Sequence, residues 1–194
     1  MSLEVCNIVK KTPSGITALN IQNALNEMKT PKFVFKIGNP PREGGTYRNE
    51  KAYLDLKDTI SFIRNVRIIN QENPTEIHKA YKGGFDKNYN TVVSRVFKAE
   101  RIIDKKAVVL TIDISEGEQS LVANKNGEKV PGIVKPKRGG RAIDKVSIYL
   151  TKEEILYAVD LLDKEIIAWR TAINIDNLYH PEKYRRDFSQ NAMS

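Results

Sequence analysis

The sequence predicts an α+β fold: antiparallel β-sheets, each followed by an amphipathic helix. Three observations carry this. Lys145 to Leu150 alternates, with Val146, Ile148 and Leu150 on one face and Lys145, Ser147 and Tyr149 on the other. That is the period of a half-buried strand. Thr151-Lys152-Glu153-Glu154 then fits a capping box, in which the Thr hydroxyl accepts from the Glu154 N–H and the Glu154 carboxylate from the Thr151 N–H. Finally, Ile155, Val159, Leu162, Ile166, Trp169 and Ile173 recur at spacings of 4, 3, 4, 3 and 4, one continuous apolar helix stripe.

Taken in order, Met1 to Ser14 reads as a mixed segment, either poorly ordered or an edge strand at Val5 to Val9. Ile16 to Met28 reads as a helix, weakened by three Asn residues and broken at Thr30-Pro31. Phe33 to Ile37 has strand composition, and Gly38 to Gly45 is a loop by its Pro-Pro and Gly-Gly pairs. Thr46 to Leu56 holds one or two strands, in which Ala52, Leu54 and Leu56 alternate with Tyr53 and Asp55. Asp58 caps a helix from Thr59 to about Asn70 with the stripe Phe62, Val66, Ile69. Lys82 to Phe85 reads as a loop. Thr91 to Lys98 and Ala107 to Ile114 are β-branched strands joined at Asp104-Lys105, with a turn at Ser115 to Gly117. Gly127 to Arg141 is a long loop with a short strand at Val130 to Val134.

The two strand-cap-helix stretches suggest an internal repeat. Their helix stripes match at a constant offset of 93, but the strands need a one-residue shift. Coincidence is the competing reading, because strand-cap-helix is a common pattern. The expected organisation is an N-terminal segment over 1–30, one nucleic-acid-binding domain over 31–173, and a polar tail over 174–194 that is ordered only by contact.

With 194 residues the chain can bury a real core, and 40% apolar content is ordinary for a folded protein. The net charge of +8 favours an anionic partner, most commonly nucleic acid. The single Cys6 excludes an intramolecular disulfide framework, so a reducing, cytoplasmic setting is expected. No run approaches the roughly 18 apolar residues of a membrane span.

Catalytic signatures are missing. Cys6, His78 and His180 lack ligand spacing and both histidines read as surface residues, so no metal is expected. There is no Gly-x-Ser-x-Gly, no phosphate-binding loop of the Gly-x-x-x-x-Gly-Lys type and no Gly-x-Gly-x-x-Gly. Glu153 and Glu154 sit where capping and dipole compensation explain them. The expectation is a protein without catalytic residues or cofactors.

The positive signal is nucleic-acid binding. Lys125, Lys129, Lys135, Lys137, Arg138, Arg141 and Lys145 face only Glu128 and Asp144 in their stretch, and Gly132, Pro136, Gly139 and Gly140 are expected to hold it open. Clustered cations suit phosphates, because binding releases condensed counterions. Rings also alternate with cations, as in Tyr47-Arg48, Lys51-Tyr53, Phe85-Lys87-Tyr89 and Arg95-Phe97-Lys98. Exposed rings can stack unpaired bases at roughly 1–3 kcal/mol each, which favours single strands over duplexes. Phe33, Phe35, Phe62 and Trp169 read as core; Tyr47, Tyr53, Tyr89 and Tyr149 read as exposed. The candidate binding residues are therefore Lys135, Lys137, Arg138, Arg141, Lys145 and Tyr149, with Tyr47, Arg48, Tyr53, Lys87, Tyr89 and Arg95.

The stretch VSIYLTKEEILYAVDLLDKEIIAW, Val146 to Trp169, resembles the final strand and helix of the Whirly and positive-cofactor-four group of single-stranded-DNA-binding proteins. Lys105-Lys106-Ala107-Val108-Val109-Leu110 is similar to the Lys-Gly-Lys-Ala-Ala-Leu strand motif of Whirly proteins, without its Gly. The resemblance implies two four-stranded sheets, each followed by a helix, a sheet surface for single strands, and oligomerisation through the helices. By the sequence reading the first half has room for only two or three strands. The leading expectation is a largely sequence-independent single-stranded-DNA-binding protein of DNA replication or recombination, such as a phage encodes. RNA binding or transcription regulation, an assembly role without nucleic acid, and an enzyme with a dispersed site are the alternatives.

Overall fold

A computed structural model of the protein describes residues 3–13, 15–24, 32–39, 47–68, 75–103 and 106–180. The α+β class holds. A four-stranded antiparallel sheet of β1 (Leu3–Thr12), β2 (Gly15–Ala24), β3 (Lys32–Asn39) and β4 (Arg48–Asp55) runs in sequence order and leads into α1 (Leu56–Ile68). The second sheet holds β5 (Glu76–Asp86), β6 (Thr91–Ile102), β7 (Ala107–Ala123), β8 (Lys129–Pro136) and β9 (Ala142–Thr151), and leads into α2 (Lys152–Tyr179). The first part of β7 pairs with β9 and its far part pairs with β8, so β7–β8 forms a ribbon that leaves the sheet.

Several expectations change. Residues 16–24 are strand, not helix: Thr17, Leu19, Ile21 and Asn23 are buried at a period of two, and strand pairing on both sides outweighs a weak helical pattern. Segment 1–30 therefore supplies two strands of the first sheet, and the first half has four strands rather than two or three. Lys82 to Phe85 lies within β5, and Ser115 to Gly117 within β7. The long loop over Gly127 to Arg141 is largely the strand β8. Helix α2 runs through Asn174–Tyr179, into what was expected to be tail. The Asp104-Lys105 turn, Ile69 and the rest of the tail from 181 lie outside the described residues.

The core lies between the two sheets and under the helices. Val146, Ile148 and Leu150 point inward, as do Ile155, Val159, Leu162 and Ile166; Trp169 packs partly buried at the rim. Phe35, Phe62 and Phe97 meet with ring centroids 4.9 to 5.6 Å apart. The capping box at Thr151 and Glu154 is formed in full. At α1 the cap is Asp55 rather than Asp58, since the Asp58 N–H donates to Asp55 Oδ1 at 2.8 Å.

The structure also resets the internal repeat. With Asp55 and Thr151 as matching caps, Tyr53 falls on Tyr149, Leu54 on Leu150, Phe62 on Ala158, Ile63 on Val159 and Val66 on Leu162, each pair 96 residues apart. The offset of 93 is thus wrong, and the one-residue shift disappears. Each half opens with a β-bulge at the same place: between Glu4 and Cys6 in β1, and between Glu76 and His78 in β5. The ion pair Lys10–Glu154 at 2.7 Å has its mate in Lys82–Asp58 at 2.5 Å. Two further pairs, Arg48–Asp144 at 2.8 Å and Arg67–Asp163 at 2.9 Å, join a position to its own counterpart. Contact between a position and its own counterpart is the pattern of a twofold relation between the halves.

Candidate nucleic-acid interface

Alternation along the strands gives each sheet an outer face, turned away from core and helices. On the first sheet it carries Asn7, Val9 and Lys11 from β1, Asn20 and Gln22 from β2, Lys32, Val34 and Lys36 from β3, and Asn49, Lys51 and Tyr53 from β4. Asn7, Asn20, Lys36 and Lys51 face one another in register as one polar row across all four strands. Tyr53 is 41% exposed opposite Val34, and the Lys51 ammonium lies 5.7 Å from its ring centroid. Tyr47 lies across Gly38, where the absence of a Cβ leaves room for its ring. Four lysines thus share this face with one carboxylate, Glu4, which accepts from Asn20; Asp55 at its rim is taken by Lys82 and the α1 N-terminus.

At one end of this face the Arg48 guanidinium donates to Asp144 Oδ1 and, at 3.0 Å, to the Lys145 carbonyl. The Asn39 side chain holds both the N–H and the carbonyl of Ser147, each at 2.8 Å. These bonds bring Tyr47 and Lys145, far apart in sequence, to one junction. From there β9 leads back to Arg141 and the exposed turn at Lys137 and Arg138. Tyr149, 49% exposed, lies on the outer face of the second sheet opposite Val109, matching Tyr53 opposite Val34.

The twelve candidates divide. Tyr47, Tyr53 and Tyr149 are exposed, as are Lys87, Lys135, Lys137, Arg138, Arg141 and Lys145, although Arg141 stands 3.9 Å from Glu116. Arg48, Tyr89 and Arg95 are engaged within the protein. Arg48 forms the junction. Arg95 pairs with Asp86, whose carboxyl that guanidinium holds below its usual range. Tyr89 is half-buried against the core rather than exposed, with its hydroxyl 3.3 Å from Glu50. Burial raises the Glu50 carboxyl and the Tyr89 phenol. Lys87 sits in the β5–β6 turn, two residues before Tyr89. The basic stretch is not an open loop, since Gly132 and Pro136 belong to β8.

No protein-family model matches the chain, and no curated protein or solved structure matches it either.

Sequence reasoning missed Asn7, Lys11, Asn20, Lys32 and Lys36, because Ile16 to Met28 read as a helix and neither the Val5–Val9 edge strand nor the Phe33–Ile37 strand had a neighbour placed beside it. Once they are paired, the polar row follows from alternation. A cleft of about 530 Å³ adjoins the face, lined by Lys32, Lys51, Tyr53, Lys82, Gly83 and Arg95 among others. His78 is buried rather than on the surface, and desolvation lowers its pKa. Cys6 is buried as well, and burial raises its thiol. Among the described residues no group of His, Cys, Asp and Glu could hold a metal ion, and no helix is long and apolar enough to cross a membrane.

Proposed function

We propose that this protein binds single-stranded DNA without catalysis and largely without sequence preference, in DNA replication or recombination. The observation that carries this reading is the outer face of the first sheet. Tyr47, Tyr53, Lys36 and Lys51 lie there on a largely polar surface outside the core. Exposed rings on a sheet stack bases, and the lysines around them track phosphates. Two sheets, each built before a capped helix, support a Whirly-like plan. Lys145, Arg141, Arg138 and Lys137 extend the basic track beyond the junction.

Salt titration of oligo-dT binding tests this. Affinity should fall steeply with salt, by about 0.7 log units per log unit of salt for each phosphate neutralised. Lys137→Ala with Arg138→Ala should lower that slope by about 1.4. Tyr53→Ala and Tyr149→Ala should each weaken binding by about 1–3 kcal/mol with the slope kept. A preference for duplex, or affinity indifferent to salt, would sink the reading. Tighter binding of a matched RNA would move it to RNA, which the 2′-hydroxyl distinguishes.

Self-association through α2 belongs to the same proposal. After Ile166 the helix continues for about 20 Å beyond its buried stretch. It exposes Ile167, Ile175, Leu178 and Tyr179 there. A second copy would cover those side chains in the way their burial energy favours. Ile175→Glu with Leu178→Glu should convert an oligomer to monomers in analytical ultracentrifugation; a parent protein that is already monomeric refutes this part.

A further inference from the structure

We propose that the β7–β8 ribbon is an arm, added to the second repeat alone, that grips single-stranded nucleic acid beside the sheet. This rests on the proposed function and assigns to it a separate element. Three observations converge.

First, the ribbon has no counterpart in the other half. In the first half, β3 and β4 are joined by residues 40–47, whereas β7 leaves its sheet at Gly117 and β9 begins only at Ala142. Of the β8 residues only Val134 is buried. It seats over Gly83 and Gly117, where any Cβ would collide with it or with the β6 backbone, and the Ser94 hydroxyl lies 3.5 Å from its carbonyl. The ribbon is thus pinned at its root and free along its length.

Second, both of its faces are apolar and uncovered. Leu121 and Pro131 lie on one and Val122 and Val130 on the other, with Leu121 64%, Ile133 56% and Val122 48% exposed. A two-stranded ribbon with nothing against it is at best marginally stable in water, so a ligand on it adds what the sheet lacks.

Third, Lys125, Lys129, Lys135, Lys137 and Arg138 have no ion-pair partner among the described residues, as Lys36 and Lys51 on the outer face of the first sheet have none. Apolar rows edged by unpaired cations suit a polyanion whose base faces are open. They suit the same ribbon of a second copy poorly, since that would bring two sets of unpaired cations together. They suit duplex DNA less well than a single strand, because its base faces are stacked away.

Two variants test the arm. In one, residues 118–135 are replaced by Asn-Gly, which closes the facing residues Gly117 and Pro136 in a two-residue turn. In the other, the ribbon keeps its length and carries Lys125→Gln, Lys129→Gln and Lys135→Gln. Fluorescence anisotropy with labelled oligo-dT across a salt series reads both. The triple variant should lose about 2 units of salt slope and bind several-fold more weakly at low salt, with duplex binding little changed. The shortened variant should lose at least as much. A triple variant with the parent's slope and affinity overturns the arm while leaving the sheet-face reading intact. A parent that binds no oligo-dT at all overturns both.

Discussion

The two halves share one plan and differ in what fills it. Phe35, Phe62, His78 and Phe97 cluster where α1 meets both sheets, with the His78 ring 5.7 Å from Phe62 and 6.3 Å from Phe97. At the matching places under α2 stand Leu110, Ala158, Cys6 and Leu19. All eight are buried. One helix is therefore seated on interlocked rings and the other on small or branched aliphatics. The outer faces differ in the opposite sense. The first sheet leaves its face open, whereas the second is partly covered where Val134 lies over Ser94 and Gly83. The halves share a frame; they differ inside in what each helix rests on, and outside in which face stays open.

The largest expected effect comes from breaking the aromatic side. Phe62→Ala removes a ring with edge contacts to Phe35, Phe97 and His78, and should cost about 3–5 kcal/mol in urea unfolding. It also makes α1 identical to α2 at that position, where Ala158 stands. Truncation at the matching place, Ala158→Gly, should cost only about 2 kcal/mol, the helix penalty of glycine plus one buried methyl. Equal losses from the two would mean that the ring cluster does not distinguish the halves.

The frame was partly legible in the sequence. The stretch from Lys145 to Ile166 was readable because strand period, capping box and stripe agree, and each is local. Asp58 was mistaken for the α1 cap because two aspartates stand three apart, and only the fold shows that Asp55 is the acceptor. That choice shifted the repeat by three residues, and the match between Tyr53 and Tyr149 was blurred. Ile16 to Ala24 went unread as a strand because its register depends on β1 and β3, which the sequence does not place beside it. The site shows the same division. Exposure of Tyr53 and Tyr149 follows from alternation alone. The loss of Arg48, Tyr89 and Arg95 to Asp144, Glu50 and Asp86 could not be foreseen for the first two, whose partners are distant in sequence. Arg95 pairs across a hairpin turn, where the Asp86 signal was available.

A smaller effect should separate the two bulge-following residues, His78 and Cys6. His78 lies in the ring cluster, and its Nε2 has no hydrogen-bond partner among the described residues. Desolvation lowers its pKa, opposed by the charges of Asp58 and Glu76 and reinforced by Lys82. The sign follows directly. An unfolded chain protonates this imidazole near pH 6.5, while the folded chain keeps it neutral to lower pH. Its contribution is complete above about pH 6.5 and is lost as the pH falls below that value, with a slope of at most about 1.36 kcal/mol per pH unit. Glu50 acts in the opposite sense, because burial raises its carboxyl and the folded state takes up that proton first. The clean measurement is therefore a difference. His78→Cys gives the second repeat the residue of the first and removes the imidazole. Urea unfolding of parent and variant at pH 7.5, 6.5 and 5.5 should show the parent losing stability relative to the variant mainly between the last two. Parallel curves down to pH 5.5 would place the His78 proton in solvent's reach, and the two halves would then share the same response to acid.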